Sequence, residues 1–346
     1  MSGTVDSVEP PDQAAAIPPA QDSSPAPAPQ GEATGPAPAP SGFAPTKAAL
    51  PEPPLPRPHA ATFVLTLLAL MPAGLAAQAL LPTAGLVWTE LVVFALPAAA
   101  LAARAGLRAP PFLRLGRPPR LAFRLAVPLG LLAMVTGGAI QTAWSALLPP
   151  AMVDTFDVTR IFDAGPLPQA ILVLGAVGLA PICEELAFRG HLLSALRLRW
   201  SVRGAIGLSA VAFAAIHLDP VRFPALIVLG VIYGWLSWRT GSVWPSVVAH
   251  AVNNAAATAL ALAWPEASKS AGPTPPIEEA LAALAASLAL MAPLVLAYQR
   301  TMPPPPSPEA ALERRGARPG RWPSWAVRGA WAAAAALAVI GTLGRR

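Results

Sequence analysis

The chain has 346 residues, is 54% hydrophobic and 12% charged, and carries a formal net charge of +6. Apolar runs recur near the length that crosses a bilayer, about 20 residues, which excludes a soluble globular protein. The basic residues stand in short loops between these runs, so the charge indicates membrane topology and not a nucleic-acid surface.

The first segment, residues 1–59, contains 16 prolines among abundant Ala, Ser and Gly. Such a composition cannot bury enough apolar surface to offset the entropy lost on ordering. The segment also lacks a basic region before the first apolar run, which argues against a cleaved signal peptide. We predict a disordered Pro/Ala-rich tail.

The apolar runs that follow predict an all-α fold, a polytopic transmembrane bundle of about eight or nine helices. The ninth predicted helix is Ala-rich and is interrupted by Arg328. The predicted helices cover residues 60–81, 84–103, 123–147, 168–199, 204–218, 224–238, 242–263, 277–298 and 324–343.

Loop charge predicts the orientation of the bundle. Acidic residues dominate the connection after the third predicted helix, whereas arginines cluster in the connections after the second, fourth and eighth predicted helices. We therefore expect the N-terminus in the cytoplasm of a multi-pass protein, and the Arg- and Ala-rich composition favours a prokaryotic plasma (inner) membrane. The arginines concerned are Arg104, Arg108, Arg114, Arg117, Arg120, Arg124, Arg197, Arg199, Arg203, Arg300, Arg314, Arg315, Arg318 and Arg321.

Three short polar patterns interrupt the apolar segments. They are Glu184-Glu185-x-x-x-Arg189, Phe213-x-x-x-His217 and His250-x-x-x-Asn254. The ends of each pattern are four residues apart, so a helix presents them along one face.

The depth of these side chains follows from the distance to the nearest predicted cytoplasmic arginine. At about 1.5 Å per residue, Glu184, His217, His250 and Asn254 lie roughly 16 to 22 Å from that side. Ionisable residues at such a depth cost on the order of 2.5 to 3.5 kcal/mol each, so they should face one another or a water-filled cavity. We predict a single site.

Residue chemistry suggests a division of roles. Glu185 and Arg189 form an ion pair in the favourable order within one helix. Glu184 points about 100° away from Glu185, as successive residues of a helix do, and suits a general base that activates water. His217 shares that water or shuttles its proton, while His250 and Asn254 donate hydrogen bonds to a developing oxyanion. Phe213 walls the pocket. Together these roles describe a peptide hydrolase.

Metal catalysis is the competing account, and the sequence leaves it open. Glu184, His217 and His250 are a reasonable zinc set with the fourth position left to water. The His-Glu-x-x-His arrangement of the zincins is absent from the sequence.

With these motifs the sequence resembles the CPBP family, which includes the type II CAAX prenyl proteases and abortive-infection-like intramembrane proteases. The family motifs E-E-x-x-x-R, F-x-x-x-H and H-x-x-x-N/D are all matched, in order. The resemblance implies a membrane endopeptidase, commonly described as a metalloprotease, whose first glutamate and first histidine activate water and whose last histidine and Asn support the oxyanion. It divides the chain into a cytoplasmic tail (1–59), N-terminal helices (60–166), a CPBP-like catalytic core (167–263) and C-terminal helices (264–346).

Other polar or small residues in the apolar segments are given structural roles. His191 is expected to be an ordinary interfacial histidine, and Cys183 a small buried hydrophobe. Glu90 and Gln141 are expected to pack or to line a lumen. Four glycines are expected to allow close helix packing, namely Gly175, Gly178, Gly230 and Gly234.

The expected partners are the lipid bilayer and a peptide or membrane-protein substrate, with CAAX-like and prenylated chains implied by the resemblance. Nucleic acid is not expected. Two alternatives stay open: a proton-coupled transporter, which also uses intramembrane Glu, His and Arg, and a catalytically silent immunity or scaffold member of the family. No internal repeat of the kind common in transporters is evident.

Overall fold

The computed structural model describes residues 60–157, 165–264 and 276–302, all within the unit Pro54–Arg346. The elements there are helices, which confirms the predicted all-α fold. The predicted tail (1–59) and the ninth predicted helix (324–343) lie outside the described residues. The helices are α1 Ala60–Leu80, α2 Pro82–Arg104, α3 Ala109–Phe112, α4 Arg120–Ser145, α5 Pro150–Thr155, α6 Pro166–Arg197, α7 Val202–Ile216, α8 Phe223–Thr240, α9 Trp244–Ala263 and α10 Ile277–Thr301.

The protein is an integral multi-pass membrane protein. Among the described helices, seven are long and apolar enough to cross a membrane, namely α1, α2, α4, α6, α8, α9 and α10. Helix α7 is apolar but has only 15 residues, so it is shorter than a full span. The sequence did not predict the short helices α3 and α5. The division of the chain into four segments stays a prediction.

Two long helices contain turns wider than an α-helix, of the π type. In α2 the wide turn covers Thr89–Ala95, and in α6 wide turns cover Gly175–Leu179 and Leu186–Leu192. Such bulges are frequent at functional sites because they change which side chains share a face. The second wide turn of α6 begins directly after the two glutamates.

The core consists of two main hydrophobic clusters. One joins α1, α2, α3, α6, α7 and the start of α8, with Phe63, Phe112 and Phe213 among its buried rings. The other joins α4, α8, α9 and α10, with Tyr233 and Tyr298 among its buried rings. Because Phe213 and Tyr233 each contact the ring of His250, the two clusters meet at the polar motifs.

Close packing of α7 on α8 depends on Gly230. A Cβ atom at this position would lie 2.8 Å from the Cα atom of Ala210, a backbone atom that cannot rotate away. The expectation of close packing is confirmed for Gly230 but wrong for Gly178, where no atom of the described residues lies within 4 Å of an added Cβ. A small-residue spacing favours close approach only where a second helix crosses it.

We expect Gly230→Ala to lower the free energy of unfolding by about 1 to 3 kcal/mol, because the new methyl group must push α7 and α8 apart. The matched control is Gly207→Ala on α7, where an added Cβ has no neighbour within 4 Å in the part of the chain that the structure describes. Alanine there should be neutral or stabilise by up to about 1 kcal/mol through helix propensity. Thermal unfolding in detergent measures both variants, and equal effects would contradict the packing argument.

Candidate active site

Helix α6 carries Glu184 and Glu185 through the centre of the protein. Both residues are buried, with 8% and 0% of their surface exposed, and they lie on the last α-helical turn before the wide turn Leu186–Leu192. The helix therefore continues past the glutamates, as the sequence predicted. Buried carboxylates require partners, and those of the two glutamates differ.

Pro181 leaves one backbone carbonyl of α6, on the wall of the site, without its helical hydrogen bond. In the wide turn Gly175–Leu179 the backbone bonds run from each N–H to the carbonyl five residues earlier, as from Ala180 to Gly175. Pro181 has no N–H to continue this series, so the carbonyl of Ala176 loses that partner. The Asn254 side chain takes its place, with Nδ2 donating to the Ala176 oxygen at 2.8 Å.

Glu185 is held by two partners. Its Oε1 atom lies 2.9 Å from Nη1 of Arg189 and 3.0 Å from Nδ1 of His250. The predicted ion pair is thus present, and the side chains of both its members are fully buried. Because a carboxylate only accepts, His250 donates its Nδ1–H to Glu185 and presents Nε2 as a lone pair.

Arg189 also ties α6 to its neighbours. Its Nη2 donates to the Gly230 carbonyl of α8 at 3.2 Å, and its guanidinium lies 4.4 Å from the centroid of the Phe213 ring. The cation–π contact and the carbonyl compensate the buried charge alongside Glu185.

Glu184 faces the two histidines. Its Oε1 lies 4.0 Å from Nε2 of His217, and its Oε2 lies 3.8 Å from Nε2 of His250. His217 donates Nδ1–H to the Phe213 carbonyl at 2.7 Å, so its Nε2 is also a lone pair. Three proton-accepting groups from α6, α9 and the end of α7 therefore converge.

The end of α7 positions His217. The helix ends at Ile216, one residue before His217, and Leu218 follows with a left-handed φ of 52°. The histidine is therefore a helix-terminal residue whose side chain is turned toward Glu184. Phe213 walls the site as predicted, since its ring contacts that of His217 edge-on at 4.8 Å.

A cavity of about 460 Å³ lies between α4, α6, α8, α9 and the end of α7, and it is lined by Glu184, Phe213, His217, His250 and Asn254. All the predicted catalytic residues border it, and Gln141 lines it as expected. Sequence reasoning missed four further polar residues on its wall. They are Thr142, Arg222, Asn253 and Thr258.

Of the four cavity residues that the sequence analysis did not predict, Asn253 is the one that its position in the sequence could have indicated. It precedes Asn254 in the sequence "HAVNN". It is buried and donates from Nδ2 to the Asn254 Oδ1 atom at 2.9 Å. Asn253 therefore fixes the orientation of the Asn254 amide, whose nitrogen faces Ala176.

The donor set suits a metal ion in its chemistry but not in its spacing. Both histidines have Nδ1 bonded to oxygen and Nε2 free, as metal-binding histidines do. Glu184, His217 and His250 are the residues that would hold the ion, which would supply an activated water and polarise a carbonyl. Ligands about 2.1 Å from one tetrahedral ion lie about 3.4 Å apart. The Glu184 oxygens lie farther than this from the Nε2 atoms of His217 and His250, at 4.0 and 3.8 Å. No group of three such residues in the described ranges has the spacing of a metal site.

His191, Cys183 and Glu90 are buried residues that do not border the cavity. The expectation that His191 is interfacial is wrong. It is 1% exposed and stacks on the Phe63 ring at 4.3 Å, because α6 runs through the first core cluster at this point. Cys183 is buried in that cluster, as expected. Glu90 packs inside, also as expected, and it lies close enough to interact electrostatically with Glu184.

Residues 166–256 match the family model described as Type II CAAX prenyl endopeptidase Rce1-like. The matched segment is less than a third of the chain and contains every predicted site residue. The match confirms the resemblance to the CPBP proteases, and at the level of the family it supports a membrane protease. Comparisons with curated proteins and with solved structures found no match.

Proposed function

We propose that this membrane protein, which resembles the type II CAAX prenyl endopeptidases over residues 166–256, hydrolyses a peptide bond of a membrane-associated substrate. The observation that carries the proposal is the approach of the Glu184 carboxylate to two histidine Nε2 lone pairs across one cavity. The proposed substrates are CAAX-like or prenylated chains and other membrane peptides.

Glu184 is the proposed general base. Its oxygens lie 4.0 and 3.8 Å from the two Nε2 atoms, beyond direct hydrogen-bond distance, which ends at about 3.2 Å. Such separations suit groups that share one hydrogen-bonded water. Glu184 removes a proton from this water, and the oxygen attacks the scissile carbonyl carbon. His217, with its free Nε2, orients the water and relays the proton.

Asn254 and His250 are the proposed oxyanion donors. Asn254 uses one amide hydrogen on the Ala176 carbonyl and keeps the second for the oxyanion. His250 donates to the oxyanion from Nε2 when doubly protonated, and Glu185 then compensates its charge. As the tetrahedral intermediate collapses, the C–N bond breaks, and the proton that Glu184 took from the water passes by way of His217 Nε2 to the leaving amine.

The proposed location is a prokaryotic plasma membrane with the N-terminus in the cytoplasm. The arginines between α2 and α4, and those following α6, support this orientation. In this arrangement the ends of α4 and α7 that border the cavity point away from the cytoplasm.

We expect His217→Gln to lower kcat for peptide cleavage by about 10²-fold, because the water loses a ring nitrogen that orients it and relays its proton. The assay uses purified protein in detergent with prenylated CAAX peptides and a panel of membrane-protein fragments. The control is Gln299→Ala, an exposed position on α10. Absent cleavage in wild type, or unchanged cleavage in His217→Gln, would contradict the proposal.

The same assay tests metal assistance. Wild-type protein treated with a chelator should keep its activity if Glu184 and His217 suffice. Loss of activity that zinc restores would instead assign Glu184, His217 and His250 to a metal.

A further inference from the structure

Arg222 is a cavity residue that the proposed hydrolysis does not use. It follows α7 in the sequence "HLDPVRFP" and borders the cavity together with His217 and Leu226. Among the described residues that line the cavity, it alone carries a permanent positive charge. It is also close enough to His217 for the two side chains to interact electrostatically.

Asp219 fixes Arg222 in one orientation. Its Oδ2 accepts from Nε of Arg222 at 2.6 Å, and its Oδ1 accepts from the backbone N–H of Val221 at 2.9 Å and of Arg222 at 3.0 Å. Asp219 is only 4% exposed, so this turn is held from inside the protein. Asp219 thus anchors the Nε edge of the guanidinium.

The turn is also fixed from α4. Trp144 donates its Nε1–H to the Pro220 carbonyl at 2.9 Å, which joins the end of α4 to the segment between α7 and α8. An arginine that served only to close the turn would not need to border the cavity. The backbone N–H groups already satisfy Asp219 Oδ1, and Trp144 secures the turn independently.

The remaining edge of the guanidinium is available to a ligand. Nη1 and Nη2 of Arg222 make no hydrogen bond or ion pair with the described residues, and 29% of the side chain is exposed. Two parallel N–H groups on a planar guanidinium match the two oxygens of a carboxylate. Because Nε is engaged by Asp219, little rotamer freedom is left to lose on binding.

We infer that Arg222 binds the free C-terminal carboxylate of the peptide substrate and thereby selects chains that are cut close to their C-terminus. The inference rests on the proposed peptidase function and deepens it. The cavity volume of about 460 Å³ falls in the range of small-ligand sites. Because Glu184 and Arg222 both border this cavity, a short C-terminal segment bound in it would lie between the scissile bond and the carboxylate.

The test compares two fluorogenic peptides that are identical except for a C-terminal acid or amide. In wild type, kcat/KM for the acid should exceed that for the amide by at least about tenfold, as expected for a charge-assisted bidentate contact. In Arg222→Gln this ratio should fall toward one. Arg300→Gln, an exposed position on α10, is the matched control and should keep the wild-type ratio. A wild-type ratio of one, or the same ratio in Arg222→Gln, would overturn the inference.

A binding measurement separates this inference from the proposed function. The full chain carrying Glu184→Gln is titrated by fluorescence anisotropy with a labelled acid peptide, so that turnover is not required. The inference predicts that the unlabelled acid displaces the labelled peptide and that the amide does not. This difference should be lost in Glu184→Gln/Arg222→Gln. Such a result supports the carboxylate site even if wild type cleaves neither peptide. Displacement by phosphatidylglycerol micelles alone would assign Arg222 to a lipid phosphate and overturn it.

Discussion

Glu184→Gln is expected to lower kcat for peptide cleavage by about 10²- to 10⁴-fold, the range that a positioned general base contributes. The amide has nearly the size of the carboxylate but cannot accept a proton from water. Glu184 faces the Nε2 atoms of His217 and His250, each of which carries a lone pair. Single-turnover cleavage measured with saturating enzyme reports this step directly.

The control for this variant is Glu278→Gln in the first turn of α10, an exposed carboxylate outside the cavity. It should leave the rate unchanged, and both variants should unfold near the wild-type temperature. Glu184→Gln with wild-type kcat would show that another group activates the water.

Arg189→Met is expected to lower the free energy of unfolding by about 3 to 5 kcal/mol, because it leaves the Glu185 carboxylate buried without its cation. Both side chains are 0% exposed, so water cannot replace the lost partner. Such a loss is a large part of the roughly 5 to 15 kcal/mol that holds a domain folded. Thermal unfolding in detergent should show an early transition.

The matched double variant Glu185→Leu/Arg189→Met removes both charges and should recover most of this stability. It should not recover activity, because Glu185 also holds the Nδ1–H of His250. If Arg189→Met alone is as stable as wild type, the ion pair does not stabilise the fold. If the double variant is fully active, Glu185 does not orient His250.

Hydropathy and arginine positions were sufficient to predict the eight apolar helices from residue 60 to residue 301. The predicted boundaries of α4 and α6 differ from the structure by two or three residues, since arginines and prolines near helix ends blur the hydropathy signal. Counting from the arginines also placed the polar motifs in one layer, and the structure brings them to one cavity.

The wide turns of α6 could not be predicted, because the sequence pattern assumes a regular helix. They depend on tertiary partners, as the contact of Ala176 with Asn254 illustrates. His191 was misjudged for the same reason: its burial depends on Phe63 and Phe112, which come from distant parts of the chain. Arg222 was overlooked because an arginine in a loop is usually a solvated or topological charge.

The most direct test of water activation at Glu184 is peptide cleavage in H₂¹⁸O followed by mass spectrometry of the N-terminal product. We predict that wild type incorporates one ¹⁸O into the new carboxyl group and that Glu184→Gln gives almost no labelled product in the same time. A wild-type product without ¹⁸O, or labelled product from Glu184→Gln at the wild-type rate, would contradict the proposed mechanism.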